Sequence, residues 1–466
     1  MINFIPDRIT FSEKSPKFQS YLHYKNVNLP WLPEIPSHWN MLPGKACFTE
    51  KKIPNKGMVE TKVLSLSYGH LVVKPEEKLH GLVPESFETY QIIEPGDIIF
   101  RTTDLQNDWN SLRFGISRHK GIITSAYMCL RSKPTLNDDY GHQLLHSYDL
   151  MKIFYGLGSG LRQNIDWRDI KYLPCIVPPL EEQNAIVRFL DYTDRRIKRY
   201  IRAKQKLIKL LEEEKQAIIH QAVTRGLNPN VPFKPSGFDW IGDIPNNWNV
   251  SRVKNEFLNL NNKRIPLSSS ERGKMTLRLY DYYGASGIID KVEDYIFDDE
   301  LLLIAEDGAN LVLRNLPLAI IARGKFWVNN HAHILKPIHG NILYLAHVME
   351  NINYQPWISG AAQPKLTLDR LMSIPIVVPI LEEQNQLLAW INEKISPIIQ
   401  QINKFKNEIS LLQEYRTRLI ADVVTGKLDM RAAAVELPEE LDEEEKIDVE
   451  AFEPEEDDEL EEALDP

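Results

Sequence analysis

The residues with the clearest potential for chemistry are Phe154, Gly156 and Gly158, which form an F-x-G-x-G pattern. In a cofactor-binding loop such glycines follow a strand and open a helix, because the backbone must approach the cofactor closely. Here the preceding residues, HQLLHSYDLMKIFYG, are typical of a helix, and the corresponding stretch of a second copy, PWISGAAQPK, keeps only Gly360. We therefore interpret the glycines as a flexible loop and not as a cofactor site.

Other catalytic patterns are incomplete. His331 and His333 would lie on one face of a predicted strand, the minimum for a metal pair, but no third ligand is in register. The run from Val177 to Leu180, VPPL, lacks the polar residue that aminomethyltransferases place before the prolines to hold the target amine. The sequence has no G-x-x-x-x-G-K-[ST] phosphate loop and no carboxylate cluster typical of a nuclease. It predicts a chain that catalyses nothing, with no metal and no cofactor of its own.

The strongest pattern is an internal repeat. WLPEIPSHWN at Trp31–Asn40 returns as WIGDIPNNWN at Trp240–Asn249, which is 209 residues later. LPCIVPPLEEQNAI at 173–186 returns as IPIVVPILEEQNQL at 374–387, and AVTRGL later returns as VVTGKL, both at an offset of 201 residues. The chain is therefore two copies of one unit, with matched ends and diverged middles of different length.

Each copy combines short β-branched or alternating runs, such as GIITSAYMCL in the first and KFWVNNHAHIL in the second, with a long helix that opens at Leu-Glu-Glu-Gln. Apolar residues at heptad spacing predict a coiled-coil seam on each helix. Lys204 and Arg416 interrupt the seams, and Pro397 predicts a kink. The seam residues are Leu190, Ile197, Ile201, Ile208, Leu211 and Ile218 in the first helix, and Leu388, Ile391, Ile395, Ile398, Ile402, Phe405, Ile409, Leu412 and Leu419 in the second.

Two paired copies within one chain generate a pseudo-twofold axis, on which the two helices run antiparallel. The predicted fold class is therefore α+β, with two similar globules joined by two long helices that form an antiparallel intramolecular coiled coil.

Charge is unevenly distributed along the chain. From Glu436 to Pro466 there are 18 acidic residues and one lysine, whereas the rest carries 54 Lys and Arg against 47 Asp and Glu. A tail with so much charge cannot bury enough apolar surface to fold, so we expect it to be disordered. It is either a solubilising end or a nucleic-acid mimic or partner tail. The basic body leaves polyanions open as partners.

Several features bear on the protein class. No run approaches about 18 apolar residues, the start MINFIPDRITFSEK lacks signal-peptide order, and the three cysteines have no CxxC spacing. Membrane and secreted classes are therefore excluded, and we expect a cytoplasmic protein. Two unequal globules at a fixed separation suit double-stranded DNA, which has a pseudo-twofold and a periodic anionic surface. Two alternatives stay open: a coiled-coil adaptor whose globules bind protein, and an enzyme with a cryptic methyltransferase or nuclease site.

From about Trp31 to Asp429 the sequence resembles the specificity subunits of type I restriction–modification systems. The resemblance rests on the paired WLPEIPSHW/WIGDIPNNW elements, the paired PPLEEQ/PILEEQ helix starts and the paired TRG/TGK helix ends. In the second globule YDYYGASGIID, IAEDGAN and FWVNNHAHIL are also similar to pieces of target-recognition domains. The acidic tail, the first 30 or so residues and Pro397 depart from the family pattern.

The resemblance implies a DNA-reading scaffold. Each globule would be a target-recognition domain for one half of a bipartite, asymmetric site, and the helices would set the spacer and dock two modification subunits. Those methyltransferase subunits would use S-adenosylmethionine to methylate adenine, and restriction subunits, with translocase and nuclease activity, would use ATP.

The repeat predicts the following domain boundaries: an N-terminal extension (1–30), target-recognition domain 1 (31–179), a central spacer helix (180–226), a linker (227–239), target-recognition domain 2 (240–380), a distal spacer helix (381–430) and an acidic disordered tail (431–466).

Base readout requires Arg, Lys, Asn or Gln on loops, whereas phosphate contacts need only cations and backbone amides. The first helix carries eight cations and no acid between Arg195 and Lys209, which we interpret as a solvated face, with phosphate contact or docking to an acidic partner surface left open. The same polar loop recurs before both helix-leading strands. The predicted DNA contacts are Arg162, Gln163 and Asn164 in that loop of the first copy, Gln363 and Lys365 in the second, and Arg101, Arg113, Asn262, Lys263, Arg264, Ser286 and Asn310 elsewhere.

Overall fold

The computed structural model describes residues 19–67, 69–75, 86–105, 108–109, 111–157, 164–228, 230–238, 240–360 and 363–438. The chain divides into two compact units, of which the first contains residues 1–202 and 408–466 and the second residues 203–407. Each unit therefore holds one globule, the beginning of one long helix and the end of the other.

The first globule is built from short strands and three helices in its described part. The helices are α1 (Gly44–Cys47), α2 (Asp138–Leu150) and α3 (Trp167–Ile170). The strands are β1 (Tyr24–Leu29), β2 (Leu32–Pro36), β3 (Asn40–Pro43), β4 (Phe48–Lys51), β5 (Leu64–Ser67), β6 (His70–Val73), β7 (Gln91–Ile93), β8 (Ile98–Phe100), β9 (Phe114–Ile116), β10 (Gly121–Ile123), β11 (Met128–Ser132) and β12 (Pro174–Val177).

A four-stranded antiparallel sheet in the order β4-β11-β8-β9 forms the centre of the first globule. Its core is completed by α2, whose Tyr140, Leu144 and Tyr148 side chains are fully buried. The helix begins where the Asn137 side chain accepts a hydrogen bond from the backbone N–H of Tyr140, a common N-cap. Strand β3 pairs with β12, so the two ends of the globule meet in one two-stranded sheet.

The second globule contains the helices α5 (Val253–Glu256), α6 (Ser269–Lys274), α7 (Asn310–Leu313), α8 (Ile342–Glu350) and α9 (Leu368–Ser373) in its described part. Its strands are β13 (Phe233–Pro235), β14 (Asp243–Pro245), β15 (Asn249–Arg252), β16 (Phe257–Asn259), β17 (Tyr280–Gly284), β18 (Gly287–Val292), β19 (Phe297–Ala305), β20 (Ala319–Val328), β21 (Ala332–Pro337) and β22 (Pro375–Val378).

A six-stranded mixed sheet in the order β16-β21-β19-β20-β17-β18 dominates the second globule. Strands β17 and β20 run parallel, and the other neighbouring pairs are antiparallel. Because side chains alternate along a strand, Leu302 and Ile304 of β19 enter the core shared with α8, while Leu301 and Leu303 enter a separate core on the opposite face. Burial on both faces explains why β19 ends in a continuous apolar run, from Leu301 to Ala305.

The two long helices are α4 (Leu180–Arg225) and α10 (Leu381–Val424). In the first unit Ile186 and Leu190, early in α4, share a core with Leu419 and Val423, late in α10. In the second unit the end of α4 shares a core with the start of α10, through residues that include Ile219, Ala222, Leu388 and Ile391. The helices are therefore antiparallel, and the predicted α+β fold class with a paired-helix core is confirmed. No helix in the described ranges is apolar enough over a sufficient length to cross a membrane.

The seam residues predicted from the heptads are all buried or half-buried. Both polar interruptions have a partner on the other helix: Lys204 lies over the ring of Phe405, with its Nζ 4.2 Å from the centroid, and Arg416 forms an ion pair with Asp194. Helix α10 continues through Pro397, whose side chain lies on the exposed face next to the buried Ile398. The proline therefore leaves the seam in register.

Three predicted boundaries differ from the structure. The N-terminal extension does not reach residue 30, because β1 pairs with β2 and Tyr21 is buried in the first core. The linker contains a strand, since β13 pairs with β14 in a matched hairpin of the second copy. The tail does not begin at residue 431, because helix α11 (Arg431–Val435) buries two alanines, Ala433 and Ala434, in the first core. Each of these segments has too few apolar residues to be recognised as a strand or helix from the sequence.

Candidate nucleic-acid interface

The same hydrogen bond fixes each globule to the start of a long helix. The indole Nε1 of Trp39 donates to Glu182 of α4 at 2.8 Å, and that of Trp248 donates to Glu383 of α10 at 2.8 Å. Both indole rings are fully buried. The carboxylates lie in the first turn of their helices, where the positive end of the helix dipole stabilises them.

The glutamine and asparagine after these glutamates complete a joint that is built twice. Gln183 donates to the carbonyl of Pro178 at 2.8 Å and accepts from the backbone N–H of Asn137 at 2.8 Å. In the second copy Gln384 donates to Pro379 at 2.9 Å and accepts from Asn341 at 2.8 Å. The joint ties the helix start to the N-cap of α2 or α8. This network was not predicted from the sequence, although the recurrence of Trp and Glu-Gln-Asn in both copies was its signal.

The ends of the long helices are matched in the same way. Gly426 follows α10 with φ +77°, and a Cβ there would come within 2.5 Å of Pro36 and 2.9 Å of Trp39. Gly226 follows α4 with φ +69°, and its Cβ would lie 3.2 Å from Trp248. Glycine is required at both positions because a side chain is strained at positive φ and the tryptophan ring covers the backbone.

In the second globule, Glu306 gathers cations at the end of β19. Arg264 donates to its carboxylate at 2.5 Å, and Lys365 approaches the other oxygen at 3.3 Å. Burial alone would raise the pKa of Glu306, but the hydrogen bonds from Arg264 and Lys365 and the charge of Arg264 outweigh burial and lower that pKa. Arg264 and Lys365, two predicted DNA contacts, are therefore brought together, and each is oriented by one oxygen of the Glu306 carboxylate.

His331 lies beside this cluster with its ring half-exposed. Its Nδ1 is 2.9 Å from the carboxylate of Asp307, which fixes the orientation of the ring. The backbone N–H of Glu306 donates to the carbonyl of His331 at 2.9 Å, so the two pairs share one end of the sheet. The sequence interpretation considered His331 only as half of a metal pair and did not propose it as a DNA contact.

Of the remaining predicted contacts in the second globule, four are exposed and one is hydrogen-bonded within its own loop. Asn262 and Lys263 are exposed in a short 3-10 helix (Asn261–Lys263), Gln363 is exposed on a loop, and Ser286 is exposed in the turn between β17 and β18. Asn310 is half-buried and already engaged: its side chain accepts from the backbone N–H of Leu316 at 2.8 Å and donates to the carbonyl of Leu316 at 3.0 Å, so it closes a loop.

In the first globule, Arg101 is half-exposed and lies 3.3 Å from the carboxylate of Asp108. Asn164 is exposed, and its side-chain oxygen accepts from the backbone N–H of Asp104 at 3.3 Å. Arg162 and Gln163 lie outside the described residues. Two of the predicted contacts in this globule therefore lie on or next to the loop that follows β8.

Arg113 is the clearest correction. Its side chain is fully buried, and its guanidinium donates to the carbonyls of Thr103 at 2.8 Å and Asp108 at 2.7 Å. It also donates to the hydroxyl of Tyr155 at 3.2 Å. Because these donors hold the loop after β8 from inside, Arg113 shapes that loop and does not reach solvent.

The histidine pair does not form a metal site. His333 is buried, with its Nδ1 2.8 Å from the amide nitrogen of Asn261 and its Nε2 2.7 Å from the carbonyl of Leu366. Burial lowers its pKa, so the ring is neutral near pH 7. In the described part of the chain no group of three or more His, Cys, Asp or Glu side chains could hold a metal ion.

Comparison with known proteins matches this doubled architecture to one family. The type I restriction modification DNA specificity domain matches residues 72–210 and 245–411, one stretch in each copy. The chain belongs to this family. The two stretches include both joint glutamines and the Glu306 cluster, whereas Trp39, Gly226 and Gly426 lie outside them.

The individual proteins to which this chain is similar include specificity subunits of type I restriction enzymes. A putative type I restriction enzyme specificity subunit of Haemophilus influenzae is 38% identical over 133 residues, which cover 28% of this chain and 32% of that protein. The putative MjaX specificity subunit of Methanocaldococcus jannaschii is 23% identical over 429 residues, 87% of this chain and 97% of that one. A solved chain from a study of complex assembly in a type I R-M system superposes with a TM-score of 0.59 at 14% identity, over 84% of this chain and 99% of its own. The last likeness concerns the fold alone.

Proposed function

We propose that this chain is the non-catalytic sequence-specificity subunit of a type I restriction–modification enzyme, in which each globule reads one half of a bipartite, asymmetric DNA site. The observation that carries the proposal is the contrast between identical joints and different interiors. Both globules are attached through Trp–Glu and Gln–Asn hydrogen bonds, but one contains a four-stranded sheet and the other a six-stranded one. Two different readers on one repeated frame suit an asymmetric target.

In the second globule we assign readout to the polar end of the six-stranded sheet. Exposed Asn262, Lys263, Ser286 and Gln363 would approach the duplex first, with Arg264, Lys365 and His331 oriented behind them by Glu306 and Asp307. Arginine, asparagine and glutamine can each make bidentate contacts to base edges, which gives discrimination of about 1–3 kcal/mol per pair. In the first globule Arg101 and Asn164 would have this role.

The partners in this proposal are double-stranded DNA, two modification subunits and restriction subunits. The modification subunits would methylate adenine with S-adenosylmethionine, and the restriction subunits would carry out ATP-dependent translocation and cleavage. This chain would select the DNA sequence and set the spacer between its half-sites. The antiparallel helices would set the spacer between the half-sites. A complex that acts on chromosomal DNA would work in the cytoplasm.

The assignment is tested by reconstitution with the modification subunit of the same system. The purified chain should neither methylate nor cleave DNA alone, and with the modification subunit it should direct adenine methylation to a bipartite site. Inserting one heptad into both α4 and α10 should lengthen the spacer between the methylated half-sites. Binding of protein partners without any sequence-dependent DNA binding would favour the adaptor alternative, and methylation by the partner-free chain would favour an enzyme.

Single residues provide a finer test of the reading surface. Lys263→Ala should weaken binding to all duplexes to a similar extent, whereas Gln363→Ala should relax discrimination in one half-site only. Asn310→Ala is the matched control from the same globule, because its side chain is engaged with Leu316. An equal effect of all three variants on every sequence would contradict the assignment of this surface.

A further inference from the structure

Four arginines form a stripe along the part of α4 that belongs to the first unit. Arg188, Arg195, Arg199 and Arg202 are exposed and are spaced by seven, four and three residues, which places them on one face of the helix. The seam residues Leu190 and Ile197 lie on another face and are buried. Asp191 and Asp194 lie between Arg188 and Arg195 in the sequence. Asp194 forms ion pairs with Lys198 and Arg416, and from Arg195 to Lys209 the helix contains no acid.

After α11 the chain lies against Arg188, the first residue of the arginine stripe. The guanidinium of Arg188 donates to the carbonyl of Leu437 at 2.8 Å and to that of Pro438 at 3.2 Å. Helix α11 holds this return in place, because Ala433 and Ala434 are buried in the core of the first unit. Residues 439–466 therefore follow directly on Pro438, which is hydrogen-bonded to the first arginine of the stripe.

These 28 residues have the charge that complements the stripe. They contain 17 Asp and Glu and one Lys. From Arg188 to Arg202 the helix rises about 21 Å at about 1.5 Å per residue, whereas an extended chain advances about 3.3 Å per residue. About seven residues would span the stripe, so the segment is long enough to follow it with many residues to spare. Tethering at Pro438 gives an effective concentration on the order of millimolar, which a free polyanion does not reach.

We propose that the acidic segment 439–466 binds the arginine stripe of α4 and acts as an intramolecular competitor for polyanions. The charges of the stripe would otherwise attract any duplex through its phosphates, because such contacts are independent of sequence and release counterions. The acidic segment offers carboxylates to the same guanidinium groups, with salt-sensitive charge-assisted hydrogen bonds. Non-specific duplex is thereby kept off this face, while contacts elsewhere in the chain are unaffected. This consequence for DNA rests on the proposed function, but the contact between segment and stripe does not.

A direct test of the contact uses no DNA. The full chain and a chain ending at Pro438 are treated with phenylglyoxal, and modification of each arginine is followed by mass spectrometry. We expect Arg195, Arg199 and Arg202 to react at least threefold more slowly in the full chain, with the difference lost in 0.5 M NaCl. Arg168, whose side chain is 81% exposed, is the internal control and should react equally in both. Equal rates at the stripe in the two chains would overturn the proposal.

The competition is measured with a fluorescent duplex of arbitrary sequence at 0.1 M salt. Removing residues 439–466, or replacing their Asp and Glu by Asn and Gln, should tighten binding at least tenfold. The triple change R195E/R199E/R202E should abolish that gain, whereas K45E/K52E/R168E, with the same charge change elsewhere in the first unit, should leave the ratio between full and shortened chains intact. A gain that survives reversal of the stripe would contradict this binding site. If neither chain bound any duplex, the proposed function would fail while the labelling result could still stand.

Discussion

The joints of the two globules and the polar loops of the two globules follow different rules. Trp39–Glu182 and Trp248–Glu383 are hydrogen bonds of the same length between matched positions. The arginines that we expected to face DNA do not occupy matched environments. Arg113 is fully buried beneath a loop, whereas Arg264 is half-buried and forms an ion pair with Glu306. In the frame, by which we mean the long helices and the joints at their ends, residues at matched positions of the repeat have the same contacts. Inside the globules the position of a residue depends on the sheet of that globule, and the two sheets differ.

The largest difference between the globules should appear when their arginines are removed. Arg113→Ala should lower the free energy of unfolding by about 4 kcal/mol, since it empties the site of a fully buried side chain and leaves several part-buried carbonyl groups without donors. Arg264→Ala should cost about 2 kcal/mol because its site is only partly buried. Arg101→Ala, on a half-exposed side chain, should change stability by less than about 0.5 kcal/mol. Denaturant unfolding of the three variants tests this order, and a loss for Arg101 as large as for Arg113 would contradict it.

The helix ends provide a matched comparison in the frame itself. Gly426→Ala should destabilise by about 3 kcal/mol, because strain at positive φ adds to a clash with Pro36 and Trp39. Gly226→Ala should cost about 1.5 kcal/mol, as its Cβ meets the ring of Trp248 at 3.2 Å and only the strain is large. Thermal or denaturant unfolding measures both. Equal costs would mean that the two helix ends are packed more alike than the distances indicate.

A pH effect should be larger in α2, where burial lowers the pKa of His142 to about 4 and that of His146 to about 3, than in α8, where burial lowers the pKa of His347. Burial and then the neighbouring His142 lower the pKa of His146 from 6.5 to about 3, and its Nδ1 is buried without a hydrogen-bond partner. Below pH 6.5 the unfolded chain takes up a proton that the folded chain excludes, so stability falls with pH until about pH 3. The loss for this group between pH 7 and pH 5 is about 2 kcal/mol.

The control for this pH effect is His146→Gln, which removes the titrating group. It should make the free energy of unfolding less dependent on pH between 5 and 7 by that amount. Helix α8 has Glu350 at the position that matches His146 when the N-caps Asn137 and Asn341 are aligned. An NMR pKa for His146 close to 6.5 would contradict the assignment.

Much of the frame could be predicted from the sequence. Periodicity identified both long helices and their seams, and the repeat identified their antiparallel pairing, because heptads and duplications are visible without tertiary structure. The Trp–Glu joint was not predicted, since a hydrogen bond between residues 143 positions apart leaves no local signal. Boundaries failed where a few residues, such as Ala433 and Ala434, owe their burial to packing alone.

The reading surfaces were harder to predict than the frame. Residue type suggested Arg113 and Asn310 as DNA contacts, but both side chains satisfy backbone groups inside their own loops. Arginine and asparagine are suited to either role, and only the fold decides between them. Asn262, Lys263, Ser286 and Gln363 are exposed, as a contact requires, and their part in recognition stays a prediction.

The most direct measurement is an exchange of one globule with the frame left intact. The segment between Trp39 and Pro178 is replaced by that of another family member, the chain is produced with its modification subunit, and methylated adenines are mapped across the genome. Exchange of the segment between Trp248 and Pro379 is the reciprocal experiment. We predict that each exchange changes one half of the site and leaves the other half and the spacer unaltered. A change in both halves after either exchange would contradict two independent readers on a common frame.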